Sequence, residues 1–108
     1  MPALVRLPLL EADADEAAQW YERQKPGFGG EFLDAFETQH HTIAEAPWRY
    51  AIRFSDVRRC NLKRFPDGLF FFLHGEFVVV LGVLHHQRDS RAVLERRRQA
   101  VPPPWRND

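Results

Sequence analysis

Several shortages narrow what this chain can be. Among 108 residues there is one cysteine, Cys60. A lone thiol excludes an intrachain disulfide and fits a reducing cytoplasm. No uncharged apolar run reaches the roughly 18 residues that cross a bilayer. The opening MPALVRLPLLEADAD has one arginine, a short apolar stretch interrupted by Pro8, and no small-residue cleavage site. It reads as a strand and not as a signal peptide. Net charge is zero. Affinity for a nucleic acid backbone scales with the phosphates neutralised, so neutrality argues against a protein that works mainly by that grip. Metal-ligand spacing is missing too. His40-His41 and His85-His86 are adjacent pairs without the i, i+4 geometry of helical ligands, and His74 stands apart. No metal and no cofactor is expected. There is no G-x-S-x-G, no P-loop, no evidently activated cysteine and no internal repeat.

What is present describes one domain. Hydrophobic residues make up 44% and charged residues 28%, the balance of a soluble globular protein with a single modest core. Residues 1–100 form that domain. The tail 101–108, VPPPWRND, is expected to be extended or loose. Charge is unevenly spread. Residues 1–48 carry nine acids and three bases, and residues 49–108 carry twelve bases and six acids. These are either ordinary solvated faces or the two ends of a bipolar molecule whose C-terminal half meets an anionic partner.

The pattern predicts a strand over residues 3–10, with Pro8 at an edge or strand end. Asp13 or Asp15 then caps a helix running to about Gln24, with Ala14, Ala17, Ala18 and Tyr21 on one face. Pro26-Gly27 breaks it. A second helix spans about Phe28 to Ala46, with Phe32, Phe36 and Ile43 as its buried stripe, Leu33 beside it, and Pro47 ending it. Residues 48–56 are a connection, with an extended piece at Tyr50–Phe54. The next run alternates, so Cys60 and Leu62 face the core while Arg59, Asn61 and Lys63 line the other face. Pro66-Asp67-Gly68 is a turn. Leu69–His74 is a strand, His74-Gly75-Glu76 a turn, and Phe77–Leu84 a wholly apolar strand, central and covered on both faces. Ser90–Gln99 is a short helix capped by Ser90, with Arg96, Arg97 and Arg98 at the end that suits cations. Helices grouped before a meander give an α+β fold: a helical hairpin packed on a mostly antiparallel sheet, β-α-α-β-β-β, then a short helix.

The candidate functional cluster is Arg59, Lys63, His85 and Arg88. If the basic strand and the apolar strand are neighbours, the four converge. Arginines there would grip phosphate or carboxylate, and His85 would move protons near neutral pH. The alternative is that the arginines pair with Asp56, Asp67 and Asp89, and that His85 only packs. Phe70, Phe71, Phe72 and Phe77 are expected in the core rather than as a stacking platform. Glu31 and Asp34 share a helix face and read as solvated.

These features together resemble the RelE/ParE superfamily of bacterial type II toxin–antitoxin systems. The matching residues are Trp20-Tyr21-Glu22, Pro26-Gly27, Phe32, Phe36, Pro47, Val57-Arg58-Arg59, Leu62, Phe65-Pro66, Val83, His85 and Arg88-Asp89. The match covers roughly residues 10–90 and lies in order and spacing, not in any one piece. It implies a cytoplasmic growth-inhibiting toxin of a plasmid-stabilisation type, wrapped by the C-terminal segment of a cognate antitoxin in a hetero-oligomer. Arg58, Arg59, Lys63, Arg64 and Arg88 would then meet the target or the antitoxin. Departures bear on the target. Asp67 stands where the family often has an aromatic residue, and Ser90 where a proline commonly follows Arg-Asp. Leu69 occupies the place of a basic residue in the ribonuclease branch, and no tyrosine follows Tyr50. The resemblance therefore leans to the ParE-like branch, which poisons DNA gyrase and is not an enzyme in its own right. The alternatives are a ribosome-dependent mRNA endoribonuclease, with Arg59, Lys63, His85 and Arg88 as its catalytic set, and a degenerate homologue with only a binding role.

Overall fold

One mixed sheet organises the chain. The structure, a computed structural model, describes residues 3–101. The strands are β1 (Ala3–Arg6), β2 (Ile52–Phe54), β3 (Val57–Asn61), β4 (Asp67–His74) and β5 (Phe77–His85), in the order β1-β5-β4-β3-β2. β1 runs parallel to β5, and the other pairs are antiparallel. The helices are α1 (Pro8–Gln24), α2 (Phe28–Glu45) and α3 (Arg91–Ala100), and a 3-10 turn spans Pro47–Arg49. This is the expected α+β arrangement with one further strand, β2, formed from the extended piece before the basic run.

The apolar run of β5 is explained by its place. It lies between β1 and β4, and helices cover both its faces. On one face the α1–α2 hairpin sets Leu10, Ala14, Tyr21, Phe32, Phe36 and Ile43 against Cys60, Leu69, Phe71, Val78 and Val80. On the other, Val57, Phe70, Phe72, Val79 and Leu81 pack with Leu94 of α3. The phenylalanine run is core, as expected: Phe71 serves the hairpin face, and Phe70 and Phe72 the α3 face.

Four local expectations are corrected. The first strand ends at Arg6, and Pro8 opens α1 instead of closing β1. A proline has no N–H to leave unpaired in a first helical turn, and its fixed φ suits that position. Leu7, not Asp13 or Asp15, stands at the N-cap of α1, without a side-chain cap. Asp67 and Gly68 belong to β4, so the chain reverses over residues 62–66, closed by Leu62 N–H donating to the Asp67 carbonyl at 2.9 Å. Arg64 takes the left-handed position there at φ 71°, and Phe65 anchors the loop against Tyr21, Phe28 and Phe32. Ser90 stands at the N-cap of α3 but makes no capping bond through its side chain. The proline-rich tail from residue 102 lies outside the described residues.

The helical hairpin turns at Gly27, whose φ of 88° disfavours any residue with a side chain. Glu22, at the end of α1, accepts from the N–H groups of Gly27 and Gly29 and so caps α2 with an acid. A Cβ at Gly29 would meet the Ala18 carbonyl oxygen at 2.6 Å, whereas one at Gly30 would meet nothing within 4 Å. Adjacent glycines should therefore respond oppositely to alanine. Gly30→Ala should gain roughly 0.5–1 kcal/mol from helix propensity. Gly29→Ala should lose about 1–2 kcal/mol because backbone must move to admit the methyl group. Urea unfolding midpoints of the two variants check this.

One buried histidine gives the fold an acid-sensitive point. His40 is 2% exposed, its Nδ1–H donates to the Phe36 carbonyl at 2.8 Å, and its Nε2 has no partner. Burial holds its pKa below the usual imidazole range, with Arg6 acting the same way more weakly. The unfolded chain would protonate it near pH 6.5, while the folded chain resists, so stability falls as pH drops below about 6.5. His40→Phe should flatten the stability profile between about pH 7 and about pH 5, read by unfolding midpoints across that range.

Candidate functional site

Where β1 stops, β5 is left with a partly open edge. The last bond of that pairing is Leu7 N–H to the Val80 carbonyl at 3.4 Å. Past it, the Leu81 carbonyl and the Val83 N–H face no strand. Side chains take over. Arg97 donates to Asp13 through both terminal nitrogens, at 2.6 and 3.0 Å, and to the Leu81 carbonyl at 3.1 Å. Asp13 also accepts from Val83 N–H at 3.2 Å. The site has room because residue 82 is glycine: a Cβ there would lie 2.5 Å from Arg97 Nη1 and 2.8 Å from Asp13 Oδ2. An aspartate from one helix and an arginine from another thus replace a strand along this stretch.

A cleft of about 440 Å³ opens beside this seal, between α1 and the end of β5. Glu16, Ala17, Trp20 and Arg23 form one wall, and Val83, His85, Gln87 and Arg88 the other. Trp20 is 49% exposed. Tyr21 and Asp67 also line the cleft, joined by a bond of 2.5 Å from the phenol hydroxyl to Asp67 Oδ1. Burial first, and the bond to Asp67 second, push the Tyr21 phenol far above its usual range, so it stays a proton donor. Gln87 N–H donates to His85 Nδ1 at 3.1 Å, which in the neutral ring leaves the proton on Nε2. His86 stacks on His85 at 4.8 Å and bonds to the Pro66 carbonyl, tying the exit of β5 to the loop before β4.

The expected four-residue cluster does not assemble. β4 separates β3 from β5, so the condition for convergence fails. His85 and Arg88 share the cleft. Arg59 lies on the α3 side of the sheet, over the Phe70 ring at 5.4 Å, with its Nε donating to Asn61 Oδ1. Lys63 is exposed in the loop after β3 and does not line the cleft. Arg64, in the same loop, is 3.8 Å from Glu31. Arg58 donates to the carbonyls of Trp48 and Tyr50. Of the three acids expected to balance this cluster, Asp56 pairs with Arg98 and Asp67 bonds to Tyr21. Arg97 and Arg98, expected to serve a helix dipole, instead fasten α3 to the sheet, and Arg98 also lies 3.7 Å from the Phe72 ring centroid.

From sequence Asp13 is a helix cap, Trp20 part of a motif and Arg97 a cation at a helix end, and none of the three is assigned to this site. Two signals were available for the first and last. Asp13 interrupts a helix stripe that is otherwise small and apolar, and Gly82 is the lone glycine in an apolar strand, a mark of close approach. Among the described residues, no three histidine, cysteine or carboxylate side chains are grouped to hold a metal ion. No described helix is long and apolar enough to cross a membrane.

No family model matches the chain. No curated protein matches it either. Among solved structures, it is similar to a chain described as "Chromosomal ParDE TA system from P. aeruginosa". The TM-score is 0.70 at 21% identity, over 79% of this chain and 96% of that one. At that identity the likeness shows the fold: the hairpin-on-sheet architecture here is one that a component of that system also has.

Proposed function

We propose that this chain is the toxin of a bacterial type II toxin–antitoxin system, a protein that acts in the cytoplasm by binding and is restrained by a cognate antitoxin. The observation that carries this reading is the shared fold with a chain of a ParDE system. The residues that resemble the RelE/ParE pattern, among them Trp20-Tyr21-Glu22, Pro26-Gly27 and Phe65-Pro66, support it from the sequence. DNA gyrase is the favoured target. The scattering of Arg59, Lys63, His85 and Arg88 over two sheet faces and a loop supports binding over phosphate cleavage, because general acid–base work needs its groups within reach of one substrate atom.

Induced expression should arrest growth, and co-expression of a cognate antitoxin should restore it. Purified protein should inhibit gyrase supercoiling or trap cleaved DNA. Undisturbed gyrase together with mRNA cut on translating ribosomes, in a manner lost in His85→Ala and Arg88→Ala, would replace this reading with the endoribonuclease. Harmless expression without any antitoxin would leave only a binding role.

A further inference from the structure

The cleft beside α1 has a buried acid that its neighbours leave half satisfied. Asp67 is 4% exposed, yet an ionised carboxylate has room for about four hydrogen bonds. Its Oδ1 takes the Tyr21 hydroxyl, and its Oδ2 has no partner among the described residues. Nor is Oδ2 sealed away: among the described residues, the buried side-chain atoms that lack a partner are Gln39 Oε1 and His40 Nε2. Asp67 lines the cleft, so Oδ2 opens into it. A buried carboxylate with a single donor is costly, and a ligand that brings N–H groups to it relieves the cost.

The walls suit a second, anionic group on the same ligand. Glu16, Trp20 and Arg23 stand at i, i+4 and i+7 and share one face of α1. Across the cleft, His86 N–H donates to the Pro66 carbonyl at 2.8 Å and Arg88 N–H to the His85 carbonyl at 3.0 Å. The exit of β5 is thus folded back, and Arg88 stays at the cleft. Ion pairs among the described residues engage neither Arg23 nor Arg88. The two outnumber Glu16, which is also unpaired, while Asp13 is taken by Arg97. Unpaired arginines alone are ordinary on a surface. Here they share a cleft with a half-exposed indole and a buried acid, and those three chemistries together describe one kind of ligand.

We infer that this cleft binds a guanine mononucleotide. Guanine presents N1–H and N2–H side by side, two donors that match the two oxygens of Asp67. Adenine and cytosine place a ring-nitrogen acceptor beside their amino group, so a lone pair would meet the carboxylate. The base stacks on Trp20, and the phosphate meets Arg23 and Arg88, with His85 Nε2–H as a further donor. At about 440 Å³ the cleft falls in the ~300–1,000 Å³ range of small-ligand sites. The site stands apart from the toxin reading: growth arrest tests that reading, and nucleotide binding tests this one.

Isothermal titration calorimetry of the full chain with guanosine monophosphate, adenosine monophosphate and guanosine provides the test. The guanine nucleotide should bind about tenfold more tightly than the adenine nucleotide, the discrimination of one two-bond base contact. Asp67→Asn, which keeps an oxygen for the Tyr21 hydroxyl, should remove that preference. Arg88→Ala should weaken guanosine monophosphate by about tenfold and leave guanosine unchanged, the loss of one charge-assisted contact. Trp20→Ala should weaken both nucleotides alike. Thermal melts confirm that each variant is folded, and the exposed Trp20 and Arg88 keep the test alive if Asp67→Asn is not. The inference is overturned if guanosine monophosphate does not bind at millimolar concentration, if adenosine monophosphate binds as tightly, or if folded Asp67→Asn keeps the preference. It is also overturned if a short single-stranded RNA without guanine displaces the nucleotide and binds more tightly. That result would assign the cleft to a nucleic acid backbone.

Discussion

Asp13→Ala should lower the stability of this protein by about 3 kcal/mol, because it leaves a buried arginine without its charge partner. Side chains of Asp13 and Arg97 are 10% and 13% exposed, so water cannot replace the lost contact well. For a domain of this size the loss amounts to roughly 15 °C in melting temperature. An isolated buried ion pair can often be exchanged for apolar residues of similar volume at little cost. The same exchange should fail here. Asp13 also accepts from Val83 N–H, and Arg97 also donates to the Leu81 carbonyl. Asp13→Leu with Arg97→Met would strand both backbone groups at a covered edge, so the double variant should stay about 1–3 kcal/mol below wild type. Urea unfolding of Asp13→Ala, Arg97→Ala and the double apolar variant separates the cases. Wild-type stability in the double variant would reduce the pair to an ordinary salt bridge.

That seal also shows where reading from sequence stops. The hairpin was legible because its signals are local. Phe32, Phe36 and Ile43 recur at helical spacing, Pro26-Gly27 interrupts, and Pro47 stops the second helix. The central strand was legible because eight apolar residues in a row have no solvent face to offer. Asp13 was read as a cap because Asp before a helix often is one; its partner lies 84 residues away, on an element whose docking no local pattern encodes. Asp67 was read as a turn residue for the same reason. Pro-Asp-Gly is a sound turn signal, but Tyr21, 46 residues earlier, draws the carboxylate inward, and β4 begins there.

The failed convergence of Arg59 with His85 is a different case, since the strand pattern held the answer. Two successive hairpins place the middle strand between the first and the third. β3 and β5 therefore could not be neighbours once residues 57–85 were read as a meander. The resulting layout separates two surfaces with different chemistry. The cleft beside α1 holds His85 and Arg88 near a protonated phenol, while Arg59 lies on the α3 side of the sheet over Phe70, held by Asn61.

Tyr21→Phe should destabilise the protein by about 2–3 kcal/mol, more than the loss of a typical neutral hydrogen bond, because the acceptor is a buried carboxylate. The substitution keeps the ring and its contacts with Phe28, Phe32 and Phe65, so the loss reports the hydroxyl alone. Asp67 is 4% exposed and has the Tyr21 hydroxyl at 2.5 Å. Asp67→Asn keeps an oxygen for that hydroxyl and removes the charge, so it should cost less than about 1 kcal/mol. The pair also carries a pH signature. The folded state holds the phenol protonated well past the point, near pH 10, where an unfolded tyrosine ionises. Stability from Tyr21 is therefore complete below about pH 10 and drains away as pH rises further, since the unfolded chain gains by releasing the proton. Tyr21→Phe has no such proton, so its deficit relative to wild type should shrink between about pH 9 and about pH 11. Chemical unfolding of both proteins at those two pH values decides the matter. A deficit that stays constant would mean that the hydroxyl acts only by filling space.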